Sequence, residues 1–493
     1  MEYFSTRNKN HTASASAAIA GGLATDGGLY VPSELPELSL DELRELCPMD
    51  YRGRASRIIA KFMPEYSMDE IDGFTAAAYG DNFDDAAIAP LHFLNDDTAF
   101  LELWHGPTCA FKDMALQILP HFLTASLKKC GEEREVCILV ATSGDTGKAA
   151  LEGFADVPGT KIVVFYPNDG VSDVQKLQMV TQGGKNVFVS AVYGNFDDAQ
   201  TGVKTIFGDK EYAGRLSDRG YFLSSANSIN WGRLLPQIVY YVSAYCDYVN
   251  SGRINLGDTV DFAVPTGNFG DILAGWYAKQ MGLPAGRMIC CSNANNVLTD
   301  FLHTGTYDRN RPFHTTISPS MDILVSSNLE RLLYSICHSD EQVSGYMREL
   351  SENGKYTVDN RIKAALAADF AAGFCSDRRT MDVISRVFRE NGYLMDTHTA
   401  VAYDVLCEYR AMMIRKTPTV IVSTASPFKF CDSVLAALGE KTDAAGTELI
   451  GRLAEVTGAK APEPLRGLSQ REVRFTGSVD KADMIKAVND FLK

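Results

Sequence analysis

Between about Pro90 and about Ser292, continuous apolar runs alternate with stretches of helical periodicity. VCILVAT (136–142) passes through a Ser-Gly-Asp-Thr-Gly turn into KAALEGFA, KIVVFYP (161–167) precedes SDVQKLQMVTQGG, and NVFVSAV (186–192) precedes DDAQTGVKTIF. Later, VDFAVP (260–265) enters ILAGWYAKQMG through TGNFGD, and RMICCSN follows. β-branched runs separated by helices predict a parallel sheet covered on both faces. In such α/β architectures ligands bind at the carboxyl ends of the strands.

The flanks differ. Residues 4–32 contain a turn at Thr25-Asp26-Gly27-Gly28 before the short apolar segment LYVP, and from Ser39 to about Gly80 the apolar spacing is helical, with Ser39 and Asp41 as cap candidates. Asn293 to Thr417 reads as mostly helical, including MDILVSSNLERLLYSICHSD and DNRIKAALAADFAAGF, before one late strand, PTVIVST (418–424). After Gly439 a loop near KAPEPLRG leads to a closing amphipathic helix, DKADMIKAVNDFL. The expected organisation is a small, mostly helical N-terminal domain (1–90), a catalytic core of two α/β subdomains (91–436) with a helical insertion at about 295–415, and a C-terminal extension (437–493).

Composition narrows the partners. With 493 residues, 45% of them hydrophobic, the chain suffices for two or three domains with a sizeable core. A balance of 47 basic and 62 acidic side chains gives −15, with no basic block to track a phosphate backbone, so nucleic acid is not expected. No span approaches membrane length and no basic start leads into an apolar core, so a cytoplasmic protein is expected, as a monomer or homodimer. The 11 cysteines show no C-x-x-C pair and no zinc spacing, so neither a disulfide framework nor a metal is expected, and the adjacent Cys290-Cys291 read as small buried hydrophobes.

Four loops carry candidate chemistry. In HGPTCAFKD (105–113) a Gly-Pro turn delivers Lys112 among apolar and small residues, where desolvation lowers an ammonium pKa and frees an amine for Schiff-base chemistry. An ordinary N-terminal helix lysine fits the same letters. Thr142 to Gly147, TSGDTG, sits between strand and helix and can cradle an anion, although such turns also occur without a ligand. TGNFGD (266–271) has the same placement, with two glycines that let main chain approach a phosphate. It lacks the spacing of either nucleotide loop, so a covalently held phosphorylated cofactor fits better. A third strand end, STASP (423–427), offers hydroxyls.

Taken together, GPTCAFKD, ATSGDTG, PTGNFGD and STASPFKF, with the opening STRN and GLATDGGLYVP, closely resemble threonine synthase of the long bacterial and fungal type, a fold-type II pyridoxal phosphate enzyme. The likeness spans about residues 4 to 435. It implies a tryptophan synthase β-like fold and a lyase of threonine biosynthesis that converts O-phospho-L-homoserine and water to L-threonine and phosphate. By that resemblance Lys112 carries pyridoxal 5'-phosphate, flanked by Phe111, while Gly267, Asn268, Phe269, Gly270 and Asp271 lie at its phosphate. Thr424 would face the pyridine nitrogen, and a neutral hydroxyl there leaves the ring unprotonated. Ser143, Asp145 and Thr146 would lie on the substrate side. SSANSINWGR (224–233) resembles the family's NSIN-x-x-R stretch, so Ser225, Asn227, Asn230 and Arg233 are expected to hold the substrate phosphate, with Lys148 as a weaker candidate. A polar helix entry is the plainer reading of that stretch.

STRN stands where STRG is common, and Ser426 where a histidine is common. An ionised Asp145 beside a cofactor oxygen or a substrate anion would be repulsive unless turned away or protonated. Phospho-lyases that yield 2-oxobutyrate share much of the motif set, and a binding protein without turnover would keep the same fold.

Overall fold

The computed structural model describes every residue of the chain except 143, 169, 170, 195, 415 and 442. Two sheets organise the core. The smaller is parallel throughout, in the order Ser478–Val479, Val187–Val192, Thr160–Pro167, Glu135–Ala141, Tyr221–Ser224. The larger runs Phe370–Phe374, Ala285–Ser292, Val260–Pro265, Thr419–Ser423, Thr98–Glu102, Leu91–Asn95 and is parallel except for its final hairpin.

The strand order of the larger sheet creates the site. Thr419–Ser423, late in the chain, inserts between Val260–Pro265 and Thr98–Glu102, with Ile421 opposite Ala263 and Ser423 opposite Glu102. The carboxyl ends of three adjacent strands therefore carry TGNFGD, STASPFKF and WHGPTCAFKD side by side. Loops far apart in sequence meet because buried strands can pair in any order that covers their apolar faces.

The helix Trp231–Asn250 is buried along nearly its whole length and joins the layers. Trp231 packs on Tyr3 (5.4 Å between ring centroids), Phe62 (5.7 Å) and Tyr277 (6.0 Å), tying the N-terminal segment to the core. Arg54, almost fully buried, crosses the same boundary to Asp247 at 2.6 Å and the Ser243 hydroxyl at 2.8 Å. Ser39 and Ser67 each close a capping box, with Glu42 and Glu70, at the starts of Leu40–Leu46 and Met68–Ala78.

Several elements differ from the sequence reading. The N-terminal segment holds an antiparallel sheet in the order Asn8–Ala13, Tyr3–Ser5, Tyr30–Pro32, which the polar run NKNHTA conceals. FAAGF, read as the end of a helix, is the edge strand Phe370–Phe374, recruited by pairing with Ala285–Ser292. The helix expected over MDILVSSNLERLLYSIC begins only at Leu329. After 437 the chain packs Leu453, Leu465 and Leu468 behind the larger sheet, then adds Ser478–Val479 to the smaller one and covers it with Met484, Val488 and Leu492.

Candidate active site

Lys112 stands immediately before the short helix Asp113–Leu116 and is only partly buried by surface area. The turn before it is fixed from within: Asp113 accepts from the Thr108 amide (2.8 Å) and the Thr108 hydroxyl (2.7 Å). Glycine is required at 106, because a Cβ there would sit 2.6 Å from Asp113. The STASPFKF loop clamps the segment from outside. Phe111 N–H donates to the Thr424 carbonyl (2.8 Å), Ser426 N–H donates to the Cys109 carbonyl (3.1 Å), and Ala110 bridges Ala425.

The Lys112 amine has no hydrogen-bond or ion-pair partner among the described residues and lies 4.4 Å from the Phe111 ring centroid. Desolvation pushes its ammonium down to about 8, with Arg233 and Lys429 adding to the fall and Asp145 and Asp271 opposing it. Four charged groups thus act on one amine.

Asp145 is buried, and its Oδ1 accepts from Lys429 Nζ and Gln175 Nε2, each at 2.8 Å. Burial works against its charge, but the ammonium groups of Lys429 and Lys112 outweigh it and hold the carboxyl below the usual range. It is an ionised carboxylate turned into a buried lysine. Lys429 also donates to the Thr108 carbonyl at 2.8 Å, so one ammonium joins the SGDTG, STASPFKF and GPTCAFKD loops. Thr142 Oγ1 accepts from Gly144 N–H (3.0 Å) and Gly147 N–H (2.9 Å), shaping the SGDTG turn from below. Ser143 lies outside the described residues.

Arg233 is buried, with Nη1 donating to the Ala226 carbonyl (2.8 Å) and Nη2 reaching the Thr146 hydroxyl (3.5 Å). It has no carboxylate partner among the described residues, and burial lowers its guanidinium to about 10. Asn230 caps the helix through Gly232 N–H (2.8 Å) and ties Ile19 O with its amide (3.0 Å). Ser225 Oγ accepts from Asn227 N–H at 3.2 Å, which shapes the turn ahead of Arg233. Lys148 is paired with Glu152 at 2.6 Å and also donates to Gln182, and this leaves it committed.

At TGNFGD, Phe269 adopts φ 63° as the residue before the helix Gly270–Met281, and its ring is buried in the core. Gly267 faces the Ser320 carbonyl, which a Cβ would approach to 2.8 Å, and its own carbonyl accepts from Ser326 Oγ at 2.9 Å. Asn268 is exposed, and its carbonyl accepts from Asn328 N–H and Nδ2 at 3.1 Å. Asp271 Oδ1 accepts from Tyr240 (2.6 Å) and Tyr241 (2.7 Å), Oδ2 is buried without a partner among the described residues, and desolvation raises the carboxyl to about 6. Thr424 is largely buried, and its hydroxyl makes no hydrogen bond among the described residues.

The sequence reading missed Lys429 and Gln175, which hold Asp145, and the wall formed by Ser320, Ser326 and Asn328. Lys429 was visible inside STASPFKF, whereas no motif marks the others. Thr6 and Arg7 of STRN are committed to Glu330, Arg7 by two bonds of 2.8 Å. Among the described residues no group of three or more His, Cys, Asp or Glu side chains is arranged to hold a metal ion.

His105, which opens the Lys112 segment, is clamped between Asp84 (2.6 Å) and Glu102 (3.0 Å). Burial works against its charge, yet the two carboxylates raise it from 6.5 to about 9. A raised histidine contributes stability that is complete below 6.5 and lost as pH rises through about 9. Urea unfolding of the wild type should therefore lose up to about 3 kcal/mol across that interval. In His105→Gln the loss disappears; an equal slope in the variant would assign it elsewhere.

The family described as threonine synthase N terminus matches residues 2–79, pyridoxal-phosphate dependent enzyme matches 92–373, and threonine synthase, C-terminal matches 399–491. Threonine synthase-like 1 of Homo sapiens is 42% identical over 435 residues, 86% of this chain, and the chain spans only 58% of that protein's length. Threonine synthase of Pseudomonas aeruginosa is 39% identical over 88% of this chain and 90% of its own. The crystal structure of pyridoxal-phosphate-bound threonine synthase from Brucella melitensis superposes with a TM-score of 0.88 at 37% identity, covering 100% of this chain and 98% of that one. With all three segments matched in order on the two-sheet core, the chain belongs to the threonine synthase family of pyridoxal-phosphate dependent enzymes.

Proposed function

We propose that this chain is a threonine synthase that converts O-phospho-L-homoserine and water to L-threonine and phosphate with pyridoxal phosphate. The observation that carries the reading is a pair of basic groups with no ion-pair partner among the described residues: the amine of Lys112 and the buried guanidinium of Arg233, whose charge lowers the Lys112 ammonium. An uncompensated buried arginine is costly unless an anion completes it.

The residues fit the cofactor. Lys112 offers an unengaged amine, the glycine turn at Gly267 to Gly270 offers main chain with no room for a Cβ at 267, and Thr424 offers a free hydroxyl. When bound, pyridoxal phosphate supplies the electron sink that makes protons at the substrate α and β carbons removable. Arg233, with Ser225 and Asn227 at its turn, binds the substrate phosphate as a planar, bidentate donor. Lys112, poised near neutrality, takes and returns protons at the α and β carbons. Asp145, already satisfied by Lys429 and Gln175, keeps the local charge near balance and shapes the substrate side. Asn230 acts through the helix it caps.

Arg233→Leu should raise KM for phosphohomoserine by about 100-fold, the lower range for deleting one partner of a buried charge-assisted contact. Steady-state phosphate release checks this; an unchanged KM would remove Arg233 from the substrate site. Product analysis tests the reaction itself. Threonine and phosphate in equal amounts are expected, whereas 2-oxobutyrate and ammonia would reassign the chain to phosphate-eliminating lyases.

A further inference from the structure

Behind the Gly267 turn lies a buried pair that this chemistry does not use. Asp396 is fully buried and His398 almost so. Asp396 Oδ1 receives both the His398 backbone N–H and the ring Nδ1 at 2.8 Å, and its other oxygen takes the Thr399 hydroxyl. A carboxylate facing Nδ1 makes that nitrogen carry the proton, which leaves Nε2 as an acceptor. Nε2 lies 3.2 Å from the Ser320 backbone N–H, a donor that only an unprotonated nitrogen can take.

The Ser320 peptide is held on one side by His398, and on the other its carbonyl stands where Gly267 has no Cβ. The same segment reaches the STASPFKF loop. The His398 ring packs on Phe430 (4.9 Å between centroids), and Thr399 Oγ1 lies 3.0 Å from Ser423 Oγ, next to Thr424. Capping of the helix Thr397–Ala411 accounts for the Asp396 bonds to main chain, but not for the bond from Ser320 to the ring.

We propose that Asp396 and His398 are positioning residues. Through a fixed imidazole tautomer they press the turn Pro319–Met321 against Gly267 and hold Ser423 beside Thr424, so the cofactor pocket is formed before the cofactor arrives. The proposal rests on the reading of Gly267 to Gly270 as the cradle of pyridoxal phosphate.

The test uses the full-length chain stripped of cofactor, pyridoxal phosphate as titrant, and amide hydrogen exchange over the peptide containing Ser320. His398→Leu should raise the Kd for pyridoxal phosphate about tenfold, the loss of one hydrogen bond, and speed exchange at Ser320. His398→Gln, whose amide oxygen can accept from the Ser320 N–H, should recover to within about threefold, which a merely structural role would not give. Unchanged Kd and exchange in His398→Leu, or a Gln variant no better than Leu, overturns the proposal. Histidine nitrogen NMR of the wild type needs no variant: an Nδ1–H ring at 398 is expected, and an Nε2–H ring contradicts it. If the wild type binds no pyridoxal phosphate, the cradle reading fails, while exchange and tautomer still decide the positioning role.

Discussion

Lys112→Ala lowers kcat for phosphate release by about four orders of magnitude, the upper range for a positioned proton-transfer group. No neighbouring amine can replace it. Lys429 is held between Asp145 and the Thr108 carbonyl, and Lys148 by Glu152 and Gln182, so both are turned into ion pairs. Lys112→Arg does not rescue, because a guanidinium stays protonated and cannot accept a proton near neutrality. The wild-type amine, lowered to about 8, becomes half neutral near that pH, so uptake of pyridoxal phosphate by cofactor-free protein should quicken as pH rises through about 8. A rate that climbs only near the ordinary lysine value of 10.5 would mean that the pocket does not desolvate Lys112.

Lys429→Met destabilises the protein by about 3–5 kcal/mol, the range for removing one partner of a buried ion pair. Both side chains are almost fully shielded, so the Asp145 carboxylate would remain charged in a dry site with only Gln175 to satisfy it. The Thr108 carbonyl would lose its donor as well. The double variant Lys429→Met with Asp145→Asn should recover most of the loss, because the orphaned charge is gone. The pair also sets an acid limit. A carboxylate held below its ordinary 3.8 contributes stability that is present above that pH and falls away as the solution is acidified through it. Urea midpoints for the wild type and both variants read all three effects; a single variant as stable as the wild type would show that the pair contributes nothing.

The strands of the core were legible because their apolar runs are buried on both faces, as VDFAVP is, where predicted and observed boundaries coincide at 260–265. FAAGF was not. It has no β-branched residue and became a strand only through its neighbour Ala285–Ser292. The antiparallel sheet near the N-terminus was hidden for a similar reason, since Asn8–Ala13 is largely exposed and polar. The candidate site divides along the same line. Lys112, Asp145, Gly267 and Arg233 lie in motifs whose turn chemistry is local. Gln175, Ser320 and His398 reach it through contacts spanning 30 to 78 residues, and no local pattern encodes those.

The most direct test of the central claim is the visible spectrum of the purified protein with pyridoxal phosphate, before and after borohydride, followed by mass mapping of the reduced digest. The expected result is a visible band that borohydride bleaches, a pyridoxyl mass on Lys112, and neither in Lys112→Ala. A protein that gains no band, or one that carries the label on Lys429 or Lys148, would contradict the assignment of Lys112 and the reaction built on it.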